Sequence, residues 1–218
     1  VLAGLRTDEH AAPQDGKFRH MHAEKIFDIR VSIAPTYFGE NAVLRLLFTG
    51  KESPSLEALG FGTRERDILK ETLKRSSGMI LATGPTGSGK TTTLYSMLSH
   101  IHTPEKSIIT IEDPVEYTIP DVRHIQVNTR TGLTFSTGLR SILRQDPDVI
   151  MVGEIRDRDT AQIAIHASLT GHMILSTLHT SDAATALVRL IDMGIDPYLV
   201  ASTVTLSIGQ RLQCQIFR

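Results

Sequence analysis

A single cysteine, Cys214, stands in 218 residues. No disulfide can therefore close within the chain, and a reducing compartment is the simplest fit. Aromatic residues are scarce, at 5%, which leaves little for the base-stacking platforms that hold single-stranded nucleic acid. Neither sign of charge dominates. Lys and Arg total 23 against 24 Asp and Glu, for a formal net charge of −1, so the chain as a whole has no pull toward nucleic acid or an anionic membrane. No apolar run approaches the length that spans a bilayer. The first residues, Val1 to Asp8, lack the basic-then-apolar layout of a secretory leader. There is also no initiator Met, so the chain is expected to be excised from a longer protein. Internal repeats and low-complexity tracts are absent. What is there is ordinary globular material, 40% hydrophobic with a mean hydropathy of −0.05. That suffices for the core of one large domain, or of one full domain and a piece of another.

Two parts differ in rhythm. In residues 1–48, Ile26 to Ile33 alternate apolar and polar, the pattern of a half-buried strand, and Asn41 to Phe48 form a second candidate strand. Residues 49–54 are polar with Gly50 and Pro54 close together, and read as a linker. From residue 55 to 218 short apolar runs take turns with helical patterns. Strands are expected at Met79–Thr83, Ser107–Ile111, Val149–Val152 and Met173–Thr177. Helices are expected at Thr63–Ser76, Thr91–His102, Thr134–Arg144, Asp157–Leu169 and Ser181–Met193. Such alternation predicts a mostly parallel sheet with helices on both faces.

Gly84-Pro85-Thr86-Gly87-Ser88-Gly89-Lys90-Thr91 fits the phosphate-loop pattern G-x-x-x-x-G-K-[ST] at every fixed position, between an apolar strand and a helix. Glycines allow the loop to wrap with its backbone N–H groups inward, and the helix that follows adds its positive end. Lys90 is placed to contact the β- and γ-phosphates, Thr91 to put its hydroxyl on Mg²⁺, and Thr92 to join them at the start of the helix. Phosphate binding alone is not hydrolysis, which also needs an acid near the metal and a group to orient water. The run Asp148-Val149-Ile150-Met151-Val152-Gly153-Glu154 ends an apolar strand in a carboxylate, the Walker B arrangement, at the strand end where α/β sheets place ligands. Ile109 to Tyr117 carries three carboxylates, Glu112, Asp113 and Glu116, at another strand end. A half-buried cluster of that density calls for a cation or a reaction. The alternative is a charged turn around Pro114.

Taken in order, these segments resemble the secretion ATPase superfamily, and within it the motors of type II secretion, type IV pilus assembly and competence. The acidic stretch is similar to that family's Asp box. Thr170-Gly171-His172 and Thr177-Leu178-His179-Thr180 are similar to its His box. Pro13-Gln14-Asp15-Gly16, Arg30 to Thr36, Gly39-Glu40 and Arg45-Leu46-Leu47 resemble its second N-terminal domain, so the likeness covers essentially the whole chain. It implies an α/β fold, a RecA-like P-loop ATPase domain at 55–218 preceded by part of a smaller, PAS-like α+β N-terminal domain at 1–48.

The resemblance also assigns roles. ATP and Mg²⁺ are the implied cofactors, with residues 84–92 holding nucleotide and Thr91 and Glu154 the metal. Glu116 is the implied general base or water-orienting acid. Glu112 and Asp113 shape the metal shell, and His179, with His172 less directly, senses the γ-phosphate. Arg30 and Arg45 are implied to close over the phosphates when the N-terminal domain swings about residues 49–54. Arg140 and Arg144, one turn apart, are interface or sensing groups, or simply a polar helix face. A homo-hexameric ring is implied on the cytoplasmic side of the inner membrane. It would be attached peripherally through a platform protein, and no nucleic-acid partner is expected. Many assembly members carry a four-cysteine zinc site, which one cysteine cannot build. The segments Pro13–Gly16 and Gln210-Arg211-Leu212 resemble the assembly and secretion side of the family. Alternatives are a retraction motor, a DNA-transfer-type or other RecA-like translocase, and a module that binds ATP without hydrolysing it. The presence of both Glu116 and Glu154 disfavours the last.

Overall fold

The structure, a computed structural model, describes residues 2–22, 25–49 and 55–212. The expected linker falls largely at 50–54, outside the described residues. Two compact units result: residues 1–52 with Glu116–Thr118, and residues 53–115 with 119–218.

The first unit is an antiparallel sheet of three strands in chain order, β1 (Gln14–His22), β2 (Lys25–Thr36) and β3 (Gly39–Thr49). Alternation in β2 sends Ile29 and Val31 to one face, where both are buried, and Arg30 to the other. A tight turn at Tyr37-Phe38 closes β2 onto β3. Thr36 and Gly39 pair across it, and the Thr36 hydroxyl donates to the Gly39 carbonyl at 2.7 Å. The expected strands at Ile26–Ile33 and Asn41–Phe48 are therefore both present, each slightly longer. β1 was not foreseen.

The second unit holds a six-stranded sheet. Its strands are β4 (Gly78–Thr83), β5 (Ile108–Glu112), β6 (Arg123–Gln126), β7 (Val149–Val152), β8 (Met173–Leu178) and β9 (Val204–Gly209). Their order is β6-β5-β7-β8-β4-β9, and every pairing is parallel. Strands β4, β5, β7 and β8 are buried along their whole length, which explains their unbroken apolar runs. The helices are α1 (Thr63–Leu73), α2 (Lys90–Ile101), α3 (Phe135–Ile142), α4 (Arg158–Leu169), α5 (Ala183–Asp192) and α6 (Pro197–Thr203). The chain moves one way along the sheet through α2 and the other way through α3, α4 and α5. Right-handed crossovers therefore put α2 on the face opposite the other three. The main core agrees: Met79, Leu81, Ile111 and Val152 from the strands pack with Leu139, Ile165 and Leu190 from α3, α4 and α5.

Local chemistry sets the helix ends. Thr134 and Thr137 form a reciprocal capping box on α3. The carboxylates of Asp157 and Asp182 accept from the backbone N–H groups of Thr160 and Thr185 at 2.8 and 2.7 Å. Gly138, inside α3, lets that helix lie close on β5, since a Cβ there would stand 2.1 Å from the Ile111 Cδ1. The loops after β4, β5, β7, β8 and β9 all leave from the same rim of the sheet.

Candidate nucleotide site

β8 lies between β4 and β7. Thr83 pairs with Leu178 and Val152 with Ser176, so the register brings Gly84, His179 and Glu154 to the same rim. The loop after β4 runs directly into α2, whose first residue is Lys90. Gly84, Gly87 and Gly89 have φ of 138°, 78° and 86°, a region open to glycine and costly for other residues. At Gly84 space forbids any other choice as well, because a Cβ would stand 2.2 Å from the Gln210 carbonyl oxygen.

Lys90 folds back on its own loop. Its Nζ donates to the carbonyls of Gly84 and Pro85 at 2.8 and 2.9 Å. Burial pushes the amine below its usual value, and the negative charge of Glu154 partly offsets this. Beside it the Ser88 hydroxyl is buried with no hydrogen-bond partner. A cradle of glycine backbone, a partly desolvated cation and an orphaned hydroxyl make a receptor for an oxyanion.

Glu154 stands two residues beyond β7, with its side chain mostly buried. One carboxylate oxygen pairs with Arg156 and the other lies 3.2 Å from the His179 Nε2. The Arg156 guanidinium is raised above its usual value, first by its hydrogen bond to Glu154. Thr91 lies on the first turn of α2, next to Lys90. One hydroxyl and one carboxylate, to be completed by phosphate oxygens and water, are the donor types by which Mg²⁺ is commonly held. Among the described residues no group of three or more His, Cys, Asp or Glu forms a ready-made metal site.

The acidic stretch divides. Glu112 points inward, 2% exposed, and accepts from the Tyr95 and Thr110 hydroxyls at 2.6 Å each. Its carboxylate thus belongs to the core rather than to an open metal shell. Asp113 is exposed, and Glu116 is half-buried in the segment that leads toward β6. His172 is not brought to this rim. It precedes β8, its backbone carbonyl accepts from the Gly78 N–H at 3.2 Å, and its ring Nδ1 lies 3.0 Å from the Ala167 carbonyl. That is the opposite rim, where it closes the end of α4. Arg140 and Arg144 are both exposed.

In the first unit, Arg30 stands directly opposite Arg45 on β3 and opposite Lys17 on β1. Three cations thus form one row across the sheet. Like charges set side by side oppose pairing, so the row suits an anion. The next row holds Arg19 and Asp28 in an ion pair at 2.8 Å. Sequence reasoning missed Lys17 because β1 was unforeseen. Gln210, read in the sequence only as part of a family-like segment, lies beside the phosphate loop: its backbone N–H donates to the Thr83 carbonyl at 2.9 Å and its side-chain amide donates to Thr93 at 2.8 Å.

A phosphate loop, its lysine and an acid–histidine pair at one rim narrow the comparison with known proteins. The family described as type II/IV secretion system protein matches residues 1–217. The chain belongs to this family. Its resemblance to type II/IV secretion proteins is close along nearly all its length. It is 50% identical over 212 residues to the type II secretion system protein E of Pectobacterium carotovorum, covering 97% of this chain and 43% of that protein. It is 48% identical to the type IV pilus assembly ATPase PilB of Thermus thermophilus, covering 97% of this chain and 24% of that one. The chain thus spans less than half the length of these relatives. Of solved structures, the pilus retraction motor PilT with bound ADP is similar at a TM-score of 0.71 and 38% identity, over 84% of this chain and 52% of that one. The Legionella pneumophila ATPase DotB is similar at 0.70 and 27%, over 88% and 54%. The fold class read from the sequence, a RecA-like P-loop domain after an N-terminal part, stands. Among the described residues, that N-terminal part consists of strands.

Proposed function

We propose that the chain is the nucleotide-binding part of an ATP-hydrolysing motor that powers type II secretion or type IV pilus assembly. The observation that carries this is the meeting of Lys90, Glu154 and His179 at the rim where the glycine loop opens. Residues 84–92 hold the phosphates of ATP. Thr91 and Glu154 hold Mg²⁺, which, when bound, neutralises charge developing on the phosphoryl group. Lys90 leaves its loop carbonyls for the β- and γ-phosphates. His179 reports on the γ-phosphate through its contact with Glu154, and Glu116 orients water. Arg30 and Arg45, joined by Lys17, supply cations to the phosphates when the N-terminal unit closes, with residues 49–54 as the hinge.

Domain limits of 1–48 and 55–218 follow from this reading, as do a homo-hexameric ring and a peripheral place on the cytoplasmic side of the inner membrane. The ring would work there on a membrane platform protein, without nucleic acid. Relatives named for secretion and pilus assembly, at 48–50% identity, favour that direction of work. The likeness to PilT keeps retraction as the second reading.

Steady-state ATP hydrolysis with and without Mg²⁺, recorded beside mass by light scattering, tests the proposal. Turnover should require Mg²⁺ and track a ring-sized species. Glu116→Gln should bind ATP and hydrolyse it on the order of a hundredfold more slowly or less. Lys90→Ala should lose binding. Turnover unchanged in both variants sinks the assignment, and turnover stimulated by DNA moves it to the translocase alternative.

A further inference from the structure

Behind the acidic segment lies a buried polar network that the proposed mechanism does not use. It joins Tyr95 on α2, Thr110 and Glu112 on β5, and His124 on β6. The Glu112 and His124 side chains are 3% and 9% exposed. The Tyr95 and His124 rings stack with centroids 6.0 Å apart and planes 13° from parallel.

The protonation of His124 follows from its neighbours. Its Nε2 lies 3.1 Å from the Ile119 backbone N–H. A backbone amide can only donate, so Nε2 is the bare, accepting nitrogen. Nδ1 therefore carries the proton. It faces the Thr110 hydroxyl oxygen at 2.9 Å and the Glu112 Oε1 at 3.2 Å. The Thr110 hydroxyl, accepting from the ring, passes its own proton toward Glu112 at 2.6 Å. Tyr95 donates to the other carboxylate oxygen at 2.6 Å. Every donor then has an acceptor, the arrangement in which a buried polar network makes the surrounding chain rigid.

The two ends of this ring hold two ends of one segment. Nδ1 reaches Glu112, the last residue of β5, and Nε2 reaches Ile119. Between them run residues 113–118, which carry Glu116. We propose that His124 is a positioning residue: its neutral, Nδ1-protonated ring clamps both ends of the 113–118 segment and so fixes the path on which Glu116 is presented. Tyr95 ties the same clamp to α2, the helix that begins at Lys90. One imidazole thereby links the acidic segment to the phosphate-loop helix. The clamp itself is a matter of geometry. Its effect on turnover rests on the ATPase reading above.

The test uses the whole 218-residue chain with His124→Leu and His124→Gln, the latter keeping an acceptor for the Ile119 N–H. Ring nitrogen shifts of ¹⁵N-histidine-labelled protein, assigned by loss of one signal in His124→Gln, should show Nε2 unprotonated. Exchange of the Ile119 amide should be slow in the parent, fast in His124→Leu and slow again in His124→Gln. Turnover should fall about tenfold or more in His124→Leu, with the Kd of a fluorescent ATP analogue within about twofold of the parent, and return largely in His124→Gln. A proton on Nε2, or Ile119 still protected in His124→Leu, overturns the clamp. Loss of kcat and affinity together, in step with melting temperature, reduces it to a packing role and also overturns it. Should the parent hydrolyse no ATP, the ATPase reading fails on its own, and the ring shifts and Ile119 exchange still decide the clamp. If His124→Leu does not fold, Tyr95→Phe takes its place: turnover should fall with the Kd held while Ile119 stays protected, because the Nε2 contact is untouched, and unchanged turnover there overturns the proposal.

Discussion

Lys90 is the residue at which sequence and structure meet most directly. Its place in the octet was legible because all eight positions are contiguous and each has its own physical reason. Invisible in the sequence was the resting posture of the amine, folded on the carbonyls of Gly84 and Pro85. Burial lowers its pKa, and the sign of the consequence is definite. Between that lowered value and the ordinary 10.5, the unfolded chain holds a proton that the folded chain has shed, so stability rises with pH across this window. Lys90→Met should therefore unfold at higher denaturant than the parent near neutral pH, and its advantage should shrink as pH climbs toward 10.5. An advantage that grows instead would contradict the burial of charge. Mg-ATP at about a hundred times its Kd should stabilise the parent by about 2.7 kcal/mol and leave Lys90→Met unmoved in thermal melts. Tyr95 and His124 had no such signal, and Gln210 had none for its place beside the loop. Gln210 meets Thr93 across 117 positions of sequence, a contact made by strand order and not by any local pattern.

At the level of elements, legibility followed burial. The strands β4, β5, β7 and β8 are covered on both faces and announced themselves as apolar runs. The edges did not. β6 is only four residues, Arg-His-Ile-Gln, and none is fully buried. β9 is half-buried along most of its length, and β1 alternates between half-buried and exposed before becoming wholly exposed. Edge strands carry polar residues because one side faces water, and that removes the pattern by which they are read. The sequence patterns place helices α1 to α5 within a few residues of their ends and carry no sign of α6. Gly138 tests how tightly α3 is set on β5. Alanine there favours the helix by about 1 kcal/mol, yet its Cβ meets the Ile111 Cδ1, and overpacking of this kind costs about 1–3 kcal/mol. Gly138→Ala should therefore come out neutral to destabilising in denaturant titration. Adding Ile111→Val, which removes the Cδ1 atom, should recover stability that Ile111→Val alone loses. Strictly additive effects would show that the two sites do not touch.

For the whole molecule, the sequence marks a boundary by its change in rhythm near residue 50, and domain limits of 1–48 and 55–218 are a proposal beside the two compact units, residues 1–52 with Glu116–Thr118 and residues 53–115 with 119–218. The return of Glu116–Thr118 to the first unit was not readable, because a three-residue excursion leaves no compositional trace. The proposed hinge makes its prediction at this scale. Small-angle scattering profiles of the chain should differ between the nucleotide-free state and the state with a Mg-ATP analogue, and Lys90→Ala should abolish the difference. Superimposable profiles in the parent would end the hinge proposal while leaving phosphate binding intact.

The parallel order of the second sheet has a practical side. Since every strand of that sheet runs the same way, its chemistry gathers at one rim, and the turns that feed the strands gather at the other. The turn from Thr103 to Lys106, between α2 and β5, is exposed throughout and belongs to that quiet rim. It offers an attachment point for a fluorophore or an affinity handle, from which the working rim can be watched without being touched.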